Sequence, residues 1–177
     1  MKDDGIPIHS QTAASMWVRR FAALVPDRGR VLDVACGAGR HARWFAARGH
    51  TVDAVDLDVS QFLDVPAAVH LRQADLEADP WPYAGDKFAG VIVTNYLHRP
   101  LMAALLACVA PGGVFIYETF AAGNEQYGRP SRPDFLLKPG ELLDIVRGQL
   151  HVVAFEDIYV DSPKPAKVQR IAALRES

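Results

Sequence analysis

The residues of this 177-residue chain with the clearest chemical purpose lie between Val31 and Ala42, in the stretch VLDVACGAGRHA. Val31, Leu32 and Val34 read as a buried strand, Cys36-Gly37-Ala38-Gly39 as a turn, and Arg40 as the opening of a helix. Glycines at such a junction let the backbone take left-handed dihedrals and let a ligand lie directly against the main chain. The first amides of the helix lack internal partners and point at whatever occupies the turn. Asp33, just upstream, would repel a phosphate but would favour a ligand bearing cationic groups. A second acid, Asp56, lies 19 residues beyond Gly37 at the end of the next strand. A carboxylate there can accept hydrogen bonds from both hydroxyls of a ribose. Asp53 and Asp58 are near it, but Asp53 comes too early in the strand for that role.

The elements that must position these groups follow from periodicity. Residues 1 to 10 read as a lead-in. Ser10 to Val25 carries Trp17, Phe21, Leu24 and Val25 at helical spacing and is closed by Pro26, so it predicts a helix on the domain edge. His9, Trp17 and their neighbours are alternatively part of a lid over the site. Arg30–Ala35 is the first strand. The helix after the glycines has Ala42, Phe45, Ala46 and Gly49 on one stripe, and Thr51–Leu57 is the second strand. Strand, crossover helix and strand in so few residues make a βαβ unit with parallel strands.

SQFLDVPAAV is too short and too interrupted by Pro66 for the usual second crossover helix. Val69–Ala74 is a third strand ending at Asp75-Leu76, and Phe88–Thr94 a fourth, leaving through Asn95-Tyr96-Leu97-His98-Arg99-Pro100. Pro100 can start a helix that LMAALLACVA continues almost without charge, with Cys108 as a core residue. Pro111-Gly112-Gly113 is read as the turn into a fifth strand, Val114–Phe120. Ala121–Lys138 is irregular, which is uncommon inside a compact domain and often functional. A helix over Pro139–Gly148 precedes strands His151–Val160 and Lys167–Leu174, and the short SPKPAK connection forces that last pair to be antiparallel. No internal repeat or low-complexity tract is visible.

Composition narrows the class. Half the residues are apolar and the net charge is −2, an ordinary globular balance that predicts no nucleic-acid partner. Arg28, Arg30, Arg40, Arg43 and Arg48 read as a solvated rim. Two cysteines imply neither a disulfide framework nor a zinc site and fit a cytoplasmic setting. MKDDGIPIHS lacks the apolar core of a secretory signal, and no run is long enough to span a bilayer. The expectation is one domain over 1–177, with no membrane partner, no metal and an oligomeric state left open.

Five strands with crossovers and a terminal hairpin, DVACGAGR, and PGG before the fifth strand together resemble the class I S-adenosylmethionine-dependent methyltransferase family over the whole chain. The resemblance implies a Rossmann-like α/β domain with a mostly parallel seven-stranded sheet in the order 3-2-1-4-5-7-6, and helices on both faces. It implies S-adenosyl-L-methionine as cofactor, with Asp33, Ala35, Gly37 and Gly39 at its methionyl end and Asp56 with Leu57 at the ribose. Asp75 and Leu76 would flank the adenine, and Asn95 and Tyr96 would lie near the methyl group. Ala35 departs from the glycine most common in the motif, and the cramped second crossover leaves one edge of the adenine pocket more open. Asn95–Leu101 and GNEQYGRPSRPDFLLKPGEL are more narrowly similar to small bacterial methyltransferases of the tellurite-resistance type.

Methyl transfer from a sulfonium expels a neutral thioether and needs no acid, so the protein's main task is to hold the nucleophile about 3–3.5 Å from the methyl carbon. Where the nucleophile must lose a proton, His98 and Glu118 are the candidate bases. Tyr96, Arg99, Tyr127, Arg129 and Arg132 are candidates for an acceptor pocket, with loop 121–138 on the acceptor side and a small molecule as acceptor. The arginines favour an anionic one. Two distant cysteines disfavour the multi-thiol chemistry of arsenite methylation. Gly37-Ala-Gly39-Arg-His-Ala42 also satisfies G-x-G-x-x-A with Asp56 at the right offset, so an NAD(P)-dependent oxidoreductase is the first alternative. A non-catalytic module that binds S-adenosylmethionine is the second.

Overall fold

The computed structural model describes residues 13–177, so the lead-in, His9 included, lies outside the described residues. Seven strands form one sheet: β1 (Val31–Val34), β2 (Val52–Asp56), β3 (Val69–Gln73), β4 (Phe88–Thr94), β5 (Val109–Phe120), β6 (His151–Val160) and β7 (Ala166–Leu174). Their order is β3-β2-β1-β4-β5-β7-β6, with the first five parallel and β7 antiparallel to both of its neighbours. That is the order expected from the sequence. The polar SPKPAK turn has no room for a crossover, so β7 must run back against β6.

Alternate strand residues feed two cores. Leu32, Val34, Val91, Val93, Phe115 and Tyr117 pack under α3 (Met102–Ala107) and α4 (Glu141–Val146). Val31, Ile92, Val114 and Ile116 pack on the other face with Trp17, Val18, Ala42 and Phe45, from α1 (Met16–Phe21) and α2 (Arg40–Ala46). Burial on both faces explains why the central strands read as continuous apolar runs.

Three expectations are corrected. The first helix begins at Met16, capped by the Ser15 hydroxyl, which accepts from the amides of Trp17 and Val18; the chain leaves the α conformation after Phe21 in a 3-10 turn. Pro111-Gly112-Gly113 does not precede β5 but lies within it. Gly112 has φ +72°, β4 and β5 shift register between Phe88 and Gly90, and a Cβ on Gly113 would meet the Ala110 and Phe88 carbonyl oxygens at 2.9 Å. The glycines therefore make a kink that lets pairing continue. The arginine rim is also more than solvated surface. Arg30 forks onto the buried Asp53 at 2.7 and 3.0 Å, which accounts for that acid.

The missing second crossover helix is confirmed, and residues 57–68 are anchored instead. Arg43 donates to the carbonyls of Leu63 and Asp64 and lies over the Phe62 ring, which is itself buried against Gly39. Loop 121–138 is similarly tied down. Asn124, 2% exposed, donates to the Pro130 carbonyl and accepts from the Lys167 amide.

Candidate active site

The glycine turn leaves β1 through three left-handed positions at alternate residues. Ala35, Gly37 and Gly39 have φ of +53°, +52° and +77°. Ala35 thus occupies a left-handed site that favours glycine by conformation alone, at a cost for alanine of about 1–2 kcal/mol. Ala35→Gly should stabilise the fold by about 0.5–1 kcal/mol after glycine's extra entropy loss, raising the melting temperature by about 1–4 °C. A thermal melt showing no gain would mean that the Ala35 methyl makes compensating contacts.

Asp56 closes the turn. Its Oδ2 accepts from the Gly37 amide at 2.7 Å and its Oδ1 from the Asp58 amide at 3.1 Å. A carboxylate has about four acceptor sites, so both oxygens keep capacity for a ligand hydroxyl. The two glycines differ in role. A Cβ at Gly37 would have no atom within 4 Å, whereas one at Gly39 would lie 2.1 Å from the Phe62 ring. Gly37 faces open space and Gly39 faces the protein. Leu57, beside Asp56, is 61% exposed.

Asp33 is not presented to this space. It is 1% exposed, and its Oδ2 accepts from the Ala42 amide in the first turn of α2. Its other oxygen lies 4.0 Å from Nδ1 of the buried His41. The His41 Nε2 accepts from the Ser15 amide, and the Ser15 hydroxyl donates to Glu118 Oε1 at 2.6 Å. Glu118 Oε2 pairs with Arg170 at 3.1 Å. Asp33, expected at the methionyl end, is the first member of a polar chain that fastens α1 across the ends of β1 and β5.

Burial pushes the Asp33 carboxyl up to about 7, and burial with the nearby Arg40 charge pushes the His41 imidazole down to about 3. A raised carboxyl removes stability as pH rises from the ordinary value of 3.8 through about 7. A depressed imidazole removes it as pH falls from 6.5 through about 3. Between about 4 and 6.5 the folded pair holds its single proton on Asp33 and the unfolded pair on His41, so the two slopes cancel. Asp33→Asn should leave stability falling as pH drops below about 6.5, and His41→Gln should leave it falling as pH rises from about 4 to 7. Measured relative to the parent in urea denaturation, each slope approaches about 1.4 kcal/mol per pH unit. Two flat variants would refute the assignment.

Beyond this chain a cavity of about 920 Å³ opens at the ends of β4 and β5, against the turn between β6 and β7. Of the residues expected from the sequence, it brings together Asn95, Glu118, Arg129 and Arg132. His98, Arg99 and Tyr127 do not line it. Asn95, with φ +55°, turns the chain so that the His98 Nδ1 lies 3.8 Å from Glu77. Arg99 forks onto Glu141 at 2.6 and 2.9 Å and donates to the Asp134 and Leu136 carbonyls, fixing the end of loop 121–138. Tyr127 stacks on Tyr159 at 5.0 Å. Sequence reasoning missed Ser15, Arg19, Arg40, Lys164 and Arg170, which also line the cavity. Ser15 was findable as the cap before Trp17 and Val18. Arg40 was findable as the residue directly after the glycine turn.

A smaller cavity of about 230 Å³ is lined by Glu77, Asn95, Tyr96, Leu97 and Thr119 among others. The Tyr96 hydroxyl is buried without a hydrogen-bond partner among the described residues, and desolvation beside Glu77 raises its pKa well above the ordinary phenol value. Asp75 Oδ1 accepts from the Glu77 and Ala78 amides. The Leu76 side chain is buried in the core, so only its backbone is available to a ligand.

Over residues 8–144 the sequence matches the family described as Methyltransferase domain. A malonyl-[acyl-carrier protein] O-methyltransferase of Serratia marcescens is 33% identical over 133 residues, 71% of this chain and 48% of its own length. The chain spans about half the length of the curated relatives it matches. TehB from Haemophilus influenzae superposes with a TM-score of 0.70 at 15% identity, covering 88% of this chain and 60% of that one. The Burkholderia thailandensis 1,6-didemethyltoxoflavin-N1-methyltransferase, solved with 1,6-didemethyltoxoflavin and S-adenosylhomocysteine, gives 0.66 at 19% identity, covering 92% and 79%. The sheet order and these likenesses define the fold, and the match over residues 8–144 defines the lineage: the chain belongs to the methyltransferase-domain family and has the class I S-adenosylmethionine-dependent methyltransferase fold.

Proposed function

We propose that the protein moves a methyl group from S-adenosylmethionine to a nucleophile on a small molecule. One observation carries this reading. The cavity of about 920 Å³ is bounded by Arg40, the residue directly after the glycine turn, and by Asn95 and Glu118 at the same edge of the sheet. An acceptor there sits beside the end of the turn where a sulfonium would be presented.

The residues present fit the cofactor. Gly37 offers bare backbone that a Cβ would fill, Asp56 retains acceptor capacity for ribose hydroxyls, and Asp75, whose Oδ1 accepts from the Glu77 and Ala78 amides, keeps its second oxygen as an acceptor for an adenine amine. S-adenosylmethionine supplies an electrophilic methyl and a neutral leaving group. The chain's own work is to hold and orient. Glu118 is held in the cavity wall by the Ser15 hydroxyl and the Arg170 guanidinium. His98 lies outside the large cavity. A nucleophile that is already an anion, or that carries a free lone pair, would react there without a protein base.

Residues 1–177 act in this reading as one methyltransferase domain with loop 121–138 on the acceptor side. Both cysteines are buried and free, which fits a cytoplasmic setting. No helix among the described residues is long and apolar enough to cross a membrane. The Serratia relative is named for an acyl group carried on a protein, so malonyl-carrier protein belongs in the acceptor screen beside small molecules.

Calorimetric titration with S-adenosylhomocysteine, and with NADH in parallel, tests the reading. Saturable binding of the thioether alone supports it. Binding of NADH alone replaces it with the oxidoreductase. Cofactor binding with no turnover on any acceptor leaves the non-catalytic module.

A further inference from the structure

The charges around the large cavity are lopsided in a chain whose net charge is −2. Among the described residues, six cationic side chains line it against one carboxylate, that of Glu118, which is already paired with Arg170. Arg132 is matched by Asp134 just outside. Arg19, Arg40, Arg129 and Lys164 remain, and among the described residues none of the four has an acidic group within ion-pair distance. They come from α1, α2, loop 121–138 and the β6–β7 turn, so it is the tertiary fold that gathers them. Four like charges around one concavity repel one another, and an anion entering it gains from all of them. Much of the rest of the wall is apolar, with Met16, Phe120, Phe135 and Val168 among its residues, beside Ser15, Asn95, Ser131 and Ser162. An occupant matching both features has an anionic head and an apolar body.

We infer that the methyl acceptor is a small organic anion, a carboxylate or phosphate on an apolar body, whose charged group is held by Arg129 and Lys164. The inference rests on the methyltransferase reading above and names the acceptor class for it. Arg129 and Lys164 are assigned the acceptor because they come from loop 121–138 and the β6–β7 turn, whereas Arg40 belongs to the helix that the glycine turn opens. Arg40, directly after that turn and donating only a 3.4 Å bond to the Ala13 carbonyl, is placed to meet the carboxylate of the cofactor itself.

The test uses the full chain saturated with S-adenosylhomocysteine. Benzoate, phenylacetate and phenyl phosphate are titrated by calorimetry against benzamide, phenylacetamide and phenol. At least one anion should bind saturably and about tenfold or more tighter than its neutral counterpart. The double variant Arg129→Gln, Lys164→Gln should lose that preference while its affinity for S-adenosylhomocysteine changes less than about twofold. Both residues are exposed on loops, so the variant folds, as a matching melting curve would document. No charge preference in any pair, or a preference that survives the double variant, overturns the inference. A second arm separates the two carboxylate sources by using 5′-methylthioadenosine, which lacks the amino-acid end. If the double variant weakens S-adenosylhomocysteine but not methylthioadenosine, the two cations serve the cofactor and the acceptor assignment falls. Failure of the parent protein to bind S-adenosylhomocysteine would instead defeat the methyltransferase reading itself.

Discussion

Asp56→Ala is expected to weaken S-adenosylhomocysteine binding by about 100-fold in calorimetric titration, and to lower thermal stability as well. The two effects have separate causes. Each charge-assisted bond from a ribose hydroxyl contributes about 1.5–3 kcal/mol, so losing both removes about 3 kcal/mol or more, roughly 100-fold in affinity. The stability loss arises because the same carboxylate already accepts from the Gly37 and Asp58 amides. Leaving the part-buried Gly37 amide without an acceptor costs about 1–3 kcal/mol. Asp56→Asn separates them. It retains one oxygen for the Gly37 amide but carries no charge, so stability should stay closer to the parent while affinity still falls about tenfold or more. Unchanged affinity in a folded Asp56→Ala protein would remove the ribose assignment.

The largest loss of stability is expected from Gly39→Ala, and its neighbour in the motif should behave differently. A Cβ at Gly39 would lie 2.1 Å from the Phe62 ring, and its φ of +77° adds left-handed strain. Phe62 cannot easily retreat, being 4% exposed and covered by the Arg43 guanidinium. Strain of about 1–2 kcal/mol and overpacking of about 1–3 kcal/mol give a loss of about 3 kcal/mol, or roughly 6–12 °C in melting temperature. Gly37→Ala meets no neighbouring atom and should cost only the strain of its own φ, about 1–2 kcal/mol. Its added methyl would instead occupy the space left for a ligand against the backbone, so S-adenosylhomocysteine affinity should drop sharply. Denaturant titration and calorimetry on both variants decide the matter. If Gly37→Ala binds normally, the ligand does not lie on that backbone.

The outcome at His98 and Glu118 shows where reading a sequence stops. Both follow strand ends at the functional edge of the sheet, which is as far as local order can place a side chain. Whether either group faces the cavity depends on contacts with distant segments. The left-handed turn at Asn95 carries His98 toward Glu77, and Glu118 is captured by Ser15, 103 residues away. Arg99, equally plausible as a pocket residue, is consumed by Glu141 and two carbonyls that its position in the chain does not reveal. Arg129 and Arg132 do reach the cavity, on a stretch held through its backbone by Asn124 at Pro130 and by Arg99 at Asp134 and Leu136.

Apart from the start of β5, the strand positions, the parallel pairing across the first crossover, the absent second crossover helix and the antiparallel last pair were determined by the sequence alone. All of them depend on short-range signals: apolar runs, glycines demanding a left-handed backbone, and connections too short for a crossover. The tertiary structure decided the rest. It turned Asp33 inward onto α2, spent Glu118 on a serine and an arginine, and gathered Arg19, Arg40, Arg129 and Lys164 around one cavity. Such groupings have no period or spacing along the chain, because they exist only where separate elements meet at one edge of the sheet.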